Sequence, residues 1–235
     1  NTTTILKEVS FTANPGTVTA LVGPSGAGKS TIAMLAARFW DIQDGEILIG
    51  NVPIKEIPTS VLMDNIALVF QDNMLFFDTI EENIRMGNKT ATFEDVKRAA
   101  CAAQCHEFIE ALPDGYQTLV GEGGTYLSGG EMQRLALARA ILKDAPVILL
   151  DEATAFADPE NEGKILEAFS HLIKGKTVLV IAHRLGTITN ADHILYLDKG
   201  MITEKGTHEE LLALHGAYAH MWKTYNRAKE WIIDR

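Results

Sequence analysis

The stretch Gly23-Pro-Ser-Gly-Ala-Gly-Lys-Ser30 decides the fold of this 235-residue chain. It fits the pattern G-x-x-x-x-G-K-[ST], with the apolar, β-rich run Val18–Val22 before it and a helical apolar pattern over Ser30–Trp40 after it. Glycines at these positions let the backbone turn tightly, so that successive N–H groups converge on a phosphate at the start of the helix. The sequence therefore predicts a phosphate-binding loop between a buried strand and a helix.

The positions of this loop have distinct predicted roles. Lys29 is expected to reach the β- and γ-phosphates of a bound nucleotide, and the Ser30 hydroxyl is expected to be a ligand for Mg²⁺. The other residues predicted to line the nucleotide are Gly23, Pro24, Ser25, Gly26, Ala27, Gly28 and Thr31.

A loop of this kind needs a carboxylate for its metal at the end of a neighbouring buried strand. The apolar run Val147–Leu150 ends in Asp151 and Glu152, and two adjacent acids there are costly unless they face a polar crevice. We expect Asp151 to bind Mg²⁺ and Glu152 to be the general base for the attacking water. His183 follows the buried run Thr177–Ala182, where it is either a γ-phosphate contact or a structural histidine.

Buried apolar runs alternate with helical patterns along the chain, which predicts an α/β fold with a mainly parallel sheet. A hairpin around Asp198–Gly200 adds an antiparallel β portion, and the helix-rich stretch Thr79–Leu112 indicates an inserted α-helical subdomain. We expect one domain, with a core of about 1–72 and 143–235 and a helical subdomain of about 73–142. Further predicted helices are Phe93–Leu112, Gly130–Leu142, Glu160–Leu172 and His208–Tyr225, and further predicted strands are Gly45–Gly50 and Ile66–Phe70. Thr92, with Asp95 three residues on, can cap the predicted helix Phe93–Leu112.

The composition excludes several classes of protein. The net charge is −10, with 21 Lys plus Arg against 31 Asp plus Glu, and this balance disfavours direct binding of nucleic acid. Two cysteines exclude a disulfide scaffold and fit a reducing compartment. The longest apolar runs are far shorter than the ~20 residues of a membrane helix, and no signal peptide is expected. Because the chain starts at Asn1 rather than Met, we expect it to be cut from something longer.

A second motif lies shortly before the Asp151 strand. The segment Leu127-Ser-Gly-Gly-Glu131 resembles the signature of ATP-binding-cassette (ABC) ATPases. Ser128 and the backbone N–H groups around Gly129 and Gly130 are expected at a helix N-terminus, which is a second anion site. In this family the two phosphate-binding surfaces face each other across a head-to-tail dimer that encloses ATP. The resemblance therefore implies a second nucleotide-binding domain, identical or different, as a partner.

The resemblance covers nearly the whole chain and implies further roles. Gln71 matches the Q-loop glutamine, which contacts Mg²⁺ or the attacking water and lies near the membrane partner. Asp158 ends the D-loop Ala155–Asp158 and would link the two ATP sites, and His183 matches the switch histidine. The segment Thr118–Gly124 resembles the exporter-type sequence that precedes the signature and touches the coupling helices.

These matches imply the ATP-hydrolysing domain of an exporter-type ABC transporter. Its transmembrane domain would be fused upstream, and it would act at the cytoplasmic face of a membrane, the inner membrane of a bacterium. The segment Asp151–Glu162 also resembles that of bacterial siderophore transporters. The alternative is a soluble ABC ATPase of translation or DNA repair, which would predict a long coiled-coil insertion or a second cassette.

Three departures from the family pattern affect the site. Phe156 and Ala157 are unusual in a D-loop, and Glu131 stands where glutamine is frequent. The family also stacks adenine on an aromatic side chain upstream of Thr4–Phe11. We therefore expect this chain to bind ATP more weakly than a form extended at its N-terminus.

Two further groups of residues leave alternatives open. Met74, Phe76 and Phe77 follow Gln71 and are either core residues of the helical subdomain or a hydrophobic patch that receives a coupling helix. Cys101 and Cys105 are spaced i, i+4 with His106 adjacent, and small packed thiols are favoured there over a metal site.

Overall fold

The computed structural model describes residues 4–70, 74–151, 159–182 and 188–233. Two compact units make up the chain. The first contains Asn1–Leu62, Leu149–Asp151 and Thr177–Arg235, and the second contains Met63–Ile148 and Glu152–Lys176.

Strands and helices are interspersed along the chain. The strands are β1 (Val18–Val22), β2 (Leu48–Ile49), β3 (Val52–Pro53), β4 (Ile66–Val69), β5 (Asp78–Thr79), β6 (Leu119–Val120), β7 (Val147–Asp151), β8 (Thr177–Ile181), β9 (His193–Asp198) and β10 (Met201–Gly206). The α-helices are α1 (Lys29–Ala36), α2 (Thr59–Asn65), α3 (Ile80–Arg85), α4 (Phe93–Ala102), α5 (His106–Glu110), α6 (Gly129–Lys143), α7 (Pro159–Ile173), α8 (His208–Ala213) and α9 (Ala217–Ile233), and a 3₁₀ turn spans Gly115–Gln117.

The main sheet organises the first unit. Within this unit the strand order is β10-β9-β1-β8-β7. Strand β7 contributes only its residues Leu149–Asp151 to the unit. Strand β1 is parallel to both β8 and β9, and β10 is antiparallel to β9. The interior of β1 is fully buried, as expected for a strand with neighbours on both edges and no polar alternation. The prediction of an α/β fold with a mainly parallel sheet and an antiparallel portion is confirmed.

The second unit is mainly helical and is centred on α6. This helix contacts α3, α4, α7 and β4 within the unit, and its side chains Leu135, Leu137 and Ala138 are buried. Two capping boxes fix helix starts here. Thr92 with Asp95 begins α4, as predicted, and Ser128 with Glu131 begins α6.

Three predicted helices were too long, because in each of them a left-handed residue that is not glycine interrupts the helical backbone. The first helix ends at Ala36 instead of Trp40, since Arg38 has φ 56°. The predicted helix Phe93–Leu112 is divided into α4 and α5 at Gln104, which also has φ 56°. At both places the amide two residues beyond the C-cap bonds back to a carbonyl of the last turn, which satisfies the helix end. The predicted helix His208–Tyr225 is divided into α8 and α9 at His215, with φ 51°.

Two hairpins account for the antiparallel pairing among the described residues of the first unit. The turn Lys199–Gly200 joins β9 to β10 with both residues at positive φ, the conformation that suits a two-residue hairpin loop. The predicted strand Gly45–Gly50 is shorter than expected, because only Leu48 and Ile49 pair with β3. None of the described helices combines the length and the apolarity that a membrane-spanning helix requires.

Candidate functional site

The phosphate loop connects β1 to α1 and is built on glycines with positive φ. Gly23 has φ 138°, and a Cβ there would lie 2.0 Å from the carbonyl oxygen of Leu197 in β9. Gly28 has φ 102° and is the N-cap of α1 without a hydrogen bond from any side chain at the cap. The first amides of α1 therefore have no capping side chain competing for them, which suits the binding of an anion at this helix end.

Lys29 is held beneath the loop by backbone carbonyls. Its Nζ donates to the oxygens of Gly23 and Pro24, at 2.9 Å each, and only 5% of the residue is exposed. Burial lowers the pKa of Lys29, and the nearby Asp151 carboxylate opposes that shift. A buried ammonium whose partners are neutral carbonyls is poised to exchange them for an anion, as the predicted role of Lys29 requires.

Ser30 and Asp151 come together as the sequence predicts. The Ser30 Oγ donates to Asp151 Oδ2 at 3.0 Å, although 121 residues separate the two in the chain. A hydroxyl and a carboxylate oxygen at the mouth of a phosphate loop are ligands that Mg²⁺ prefers, so this pair fits the predicted metal. Asp151 ends β7 at the carboxyl edge of the sheet, which is where open α/β sheets bind ligands.

The N-terminal segment lies against the phosphate loop, which the sequence did not reveal. Lys7 N donates to the Gly200 carbonyl at 2.8 Å, and the Gly200 amide donates to the Ala27 carbonyl at 3.2 Å. A Cβ at Gly28 would lie 2.6 Å from Leu6 Cδ2 and 3.8 Å from Ile5 Cγ2. Glycine at 28 therefore serves this packing as well as the backbone turn, and no local pattern around Ile5 signals it.

The signature segment forms the N-terminus of α6 in the second unit. The Ser128 Oγ accepts from the Glu131 amide at 3.3 Å, and Glu131 Oε2 accepts from both the Ser128 amide and the Ser128 hydroxyl at 2.8 Å. Gly129 is exposed and Gly130 is buried. The expectation of Ser128, Gly129 and Gly130 at one helix start is confirmed, but the residue that closes the cap is Glu131.

The exposure of the apolar residues after Gln71 excludes one of the two alternatives for them, a place in the core. Met74 is 70% exposed, Phe76 is 50% exposed and Phe77 is 63% exposed, so they are not core residues of the second unit. Strand β5 pairs with β6, which brings the half-exposed Leu119 to the same region. We call Met74, Phe76, Phe77 and Leu119 the apolar loop surface.

The two cysteines differ in environment. Cys105 is buried and its thiol lies 3.2 Å from the Ala100 carbonyl, whereas Cys101 is exposed. Burial raises the pKa of Cys105 to about 12, which is the behaviour of a packed thiol. Within the described ranges, no group of three metal-binding side chains is present.

Four predicted site residues, Gln71, Glu152, Asp158 and His183, lie outside the described residues. The same holds for Phe156 and Ala157 of the predicted D-loop.

Comparison with known proteins agrees with this geometry. The profile of the ABC transporter family matches residues 6–155. The chain is 52% identical, over 94% of its length, to the mycobactin import ATP-binding/permease protein IrtA of Mycobacterium tuberculosis. It is 49% identical, over 96% of its length, to a putative multidrug export ATP-binding/permease protein of Staphylococcus aureus. The structure of a bacterial Atm1-family ABC exporter with ATP bound superimposes with a TM-score of 0.88 at 45% identity, covering 94% of this chain and 38% of that one.

The chain spans only part of these relatives, 26% of the mycobactin importer and 39% of the staphylococcal protein. The family match nevertheless covers well over half of the chain and includes the phosphate loop, the Asp151 strand and the signature segment. The chain belongs to the ABC transporter family and is an ATP-binding domain of the kind found in ATP-binding/permease fusion proteins.

Proposed function

We propose that this chain hydrolyses ATP. We further propose that the closure of a dimer of two such domains on ATP is coupled to transport through a permease. The observation that carries the proposal is the 3.0 Å contact between Ser30 and Asp151 beside the buried Lys29. The three side chains present a cation and two oxygen ligands at one glycine-lined helix start, which is the arrangement that nucleoside triphosphate with Mg²⁺ requires. The proposed division of the domain is a core of about 1–72 and 143–235 with a helical subdomain of about 73–142.

The chemistry is divided among named residues. Gly23, Gly26 and Gly28 turn the backbone toward the β-phosphate, Pro24, Ser25, Ala27 and Thr31 complete the loop, and Lys29 contacts the β- and γ-phosphates. Ser30, Asp151 and Gln71 would hold Mg²⁺, which neutralises phosphate charge when bound. By the family resemblance, Glu152 takes the proton of the attacking water and His183 contacts the γ-phosphate.

Pairing of two chains completes each site. Ser128, Gly129 and Gly130 at the start of α6 would contact the nucleotide held by the phosphate loop of the other chain, and Asp158 would link the two sites. The partner is a second ABC nucleotide-binding domain, either identical or different. Because the interface would be built on shared nucleotide, its stability would rise with ATP concentration.

The second partner is a permease domain fused upstream. This chain would then act at the cytoplasmic face of a bacterial membrane. The support for this partner is that the relatives are ATP-binding/permease proteins of which this chain spans between a quarter and two fifths. The apolar loop surface is the proposed docking face for a permease segment, since exposed aromatic side chains favour burial against a partner.

Siderophores are the proposed class of cargo. IrtA is named as a mycobactin importer, and the segment Asp151–Glu162 resembles the corresponding segment of siderophore transporters. Multidrug export is the second candidate, from the staphylococcal relative. A soluble ATPase of translation or DNA repair is disfavoured for two reasons. The mycobacterial and staphylococcal relatives are ATP-binding/permease proteins, and the net charge of −10 opposes contact with nucleic acid.

The test is phosphate release from Mg-ATP by the purified chain over a wide range of protein concentration. We expect activity per chain to rise with concentration, and we expect Glu152→Gln to abolish it while ATP binding persists. Glu110→Gln makes the same charge change at an exposed position and should leave the rate unchanged. Hydrolysis by Glu152→Gln as fast as by the parent would refute the role of Glu152, and activity per chain independent of concentration would refute pairing.

A further inference from the structure

The backbone of the apolar loop surface is held by a buried polar network. We propose that Asn83 and Arg139 are positioning residues that fix Met74, Phe76 and Phe77 in one outward-facing arrangement, ready for the permease segment. The inference rests on the proposed docking face, and it adds the residues that make that face rigid.

Both polar atoms of the Asn83 side chain form hydrogen bonds with the backbone of this loop. It is 1% exposed and lies in α3. Its Oδ1 accepts from the Phe76 amide at 3.0 Å, and its Nδ2 donates to the Phe76 carbonyl at 2.9 Å and to the Thr79 carbonyl at 3.0 Å. Both backbone groups of Phe76 are thereby tied to one buried amide, although the aromatic ring of Phe76 is half exposed.

Arg139 extends the network from α6. Its Nε donates to the Asn83 carbonyl at 2.9 Å, its Nη2 donates to Asn83 Oδ1 at 3.2 Å, and its Nη1 donates to the Met74 carbonyl at 3.4 Å. The guanidinium carbon lies 6.0 Å from the centre of the Phe76 ring. Burial lowers the pKa of Arg139, which agrees with a guanidinium that is partly withdrawn from solvent. A planar fork of donors suits this three-acceptor site, and a lysine could not reproduce it.

A close backbone approach supports the loop from another side. A Cβ at Gly121, where φ is 91°, would lie 2.6 Å from both the carbonyl carbon and the carbonyl oxygen of Phe76. Gly87 makes a similar approach to Arg139, with a Cβ position 2.2 Å from the Arg139 carbonyl oxygen. The loop backbone is thus fixed by hydrogen bonds and by packing at once.

This combination of fixed backbone and exposed apolar side chains points to a preorganised interface. An exposed loop without a partner gains little from a set of side-chain hydrogen bonds, centred on the buried Asn83, that orders only its backbone. A binding loop gains affinity, because the entropy of ordering is lost before the partner arrives. Buried networks of this kind also select one arrangement over others.

The network also connects the loop to the signature. Ser128 begins α6 and Arg139 lies eleven residues further along the same helix, about 16 Å at 1.5 Å per residue. A displacement of the signature end of α6 would therefore move the apolar loop surface with it as one body.

The test measures amide hydrogen exchange in the purified chain at Phe76, the residue whose amide donates to Asn83. Arg139→Gln should accelerate exchange at Phe76 by roughly ten- to a hundredfold, because a bond to a charged group is lost and Asn83 is released. The amides of Leu135 and Ala138 in α6 should keep their protection, which a general loss of stability would not allow. Arg139→Lys keeps the positive charge but replaces the planar fork by a single ammonium, so its effect should fall between those of the parent and Arg139→Gln. Arg98→Gln at an exposed position of α4 should have no effect. Equal Phe76 exchange in Arg139→Gln and the parent would overturn the inference.

A second arm separates this inference from the proposed function. In a complete ATP-binding/permease protein that contains this chain, residues 74–77 should exchange more slowly than in the chain alone. Phe77→Ser should remove that additional protection while leaving the Phe76 bond to Asn83 intact in the chain alone. An absence of additional protection in the unmodified complete protein would refute the docking face, whereas the result with Arg139→Gln in the chain alone decides the positioning role independently.

Discussion

Two helix starts in this chain bind anions in the proposed mechanism, and they are prepared in opposite ways. At α1 the N-cap is Gly28, no side chain caps the helix, and the cation Lys29 lies beneath the loop. At α6 the N-cap is Ser128, whose amide and hydroxyl both donate to the Glu131 carboxylate. The first amides of α1 have no side-chain cap and can bind a ligand. The start of α6 is already capped by its own side chains, one of which is a carboxylate.

The difference indicates an order of events. A phosphate can enter the α1 site without displacing a side-chain cap, and Lys29 needs only to exchange carbonyls for phosphate oxygens. The α6 site must accept an anion beside a carboxylate, which repels it. We therefore expect nucleotide to bind first at the phosphate loop and to recruit the signature of a second chain afterwards.

The largest effect is expected at the α1 site. Lys29→Ala should weaken Mg-ATP binding by roughly ten- to a hundredfold, because a charged hydrogen bond to phosphate is lost. Lys55→Ala is the matched control, since Lys55 is an exposed lysine of the same unit. Binding is measured by isothermal titration calorimetry, and an unchanged dissociation constant for Lys29→Ala would refute the role of the α1 site.

An intermediate effect is expected for the cap of α6. Ser128→Ala should lower the free energy of unfolding by about 1 kcal/mol, as loss of an N-cap does. Thr92→Ala removes another capping box of the same unit and should cost a similar amount. Only Ser128→Ala should also reduce ATP-driven pairing, as followed by analytical ultracentrifugation. Equal pairing by the two variants would mean that the α6 start is structural alone.

The smallest effect tests the charge at α6. Glu131→Gln keeps an acceptor for the cap but removes the carboxylate, so ATP-driven pairing should tighten by roughly two- to fivefold, the size of a partly exposed charge effect. Glu110→Gln, an equal charge change at an exposed residue of the same unit, serves as control. Weaker pairing of Glu131→Gln than of the parent would contradict the view that Glu131 opposes the anion.

Features encoded by neighbouring residues were predictable from the sequence. Strand β1 has the predicted bounds, and the Thr92 cap and the Ser128 helix start were found, because caps and glycine loops depend on residues a few positions apart. Ser30 and Asp151 were each predicted to bind Mg²⁺, and the 3.0 Å hydrogen bond between them is consistent with both lying at one metal site.

Features without a local signal were missed. The helix ends at Arg38, Gln104 and His215 lack the glycine that usually marks a left-handed terminus. The bonds between Asn83 and Arg139 join residues 56 positions apart, and neither residue type at its place implies the other. Ile5 was likewise not foreseen beside the phosphate loop, because tertiary packing alone brings it there. The roles of Gln71, Glu152, Asp158 and His183 stay predictions.

The central claim, that a phosphate loop of one chain works with the signature of another, is tested most directly by mixing two disabled chains. Lys29→Ala disables the phosphate loop, and Gly129→Asp places a carboxylate at the exposed start of α6, where an acid is compatible with the helix. Head-to-tail pairing predicts negligible phosphate release from Mg-ATP by either variant alone. An equimolar mixture should recover up to about a quarter of the parental rate, because half of the random pairs are mixed and each has one intact composite site. A mixture no more active than the two variants measured separately would contradict the claim.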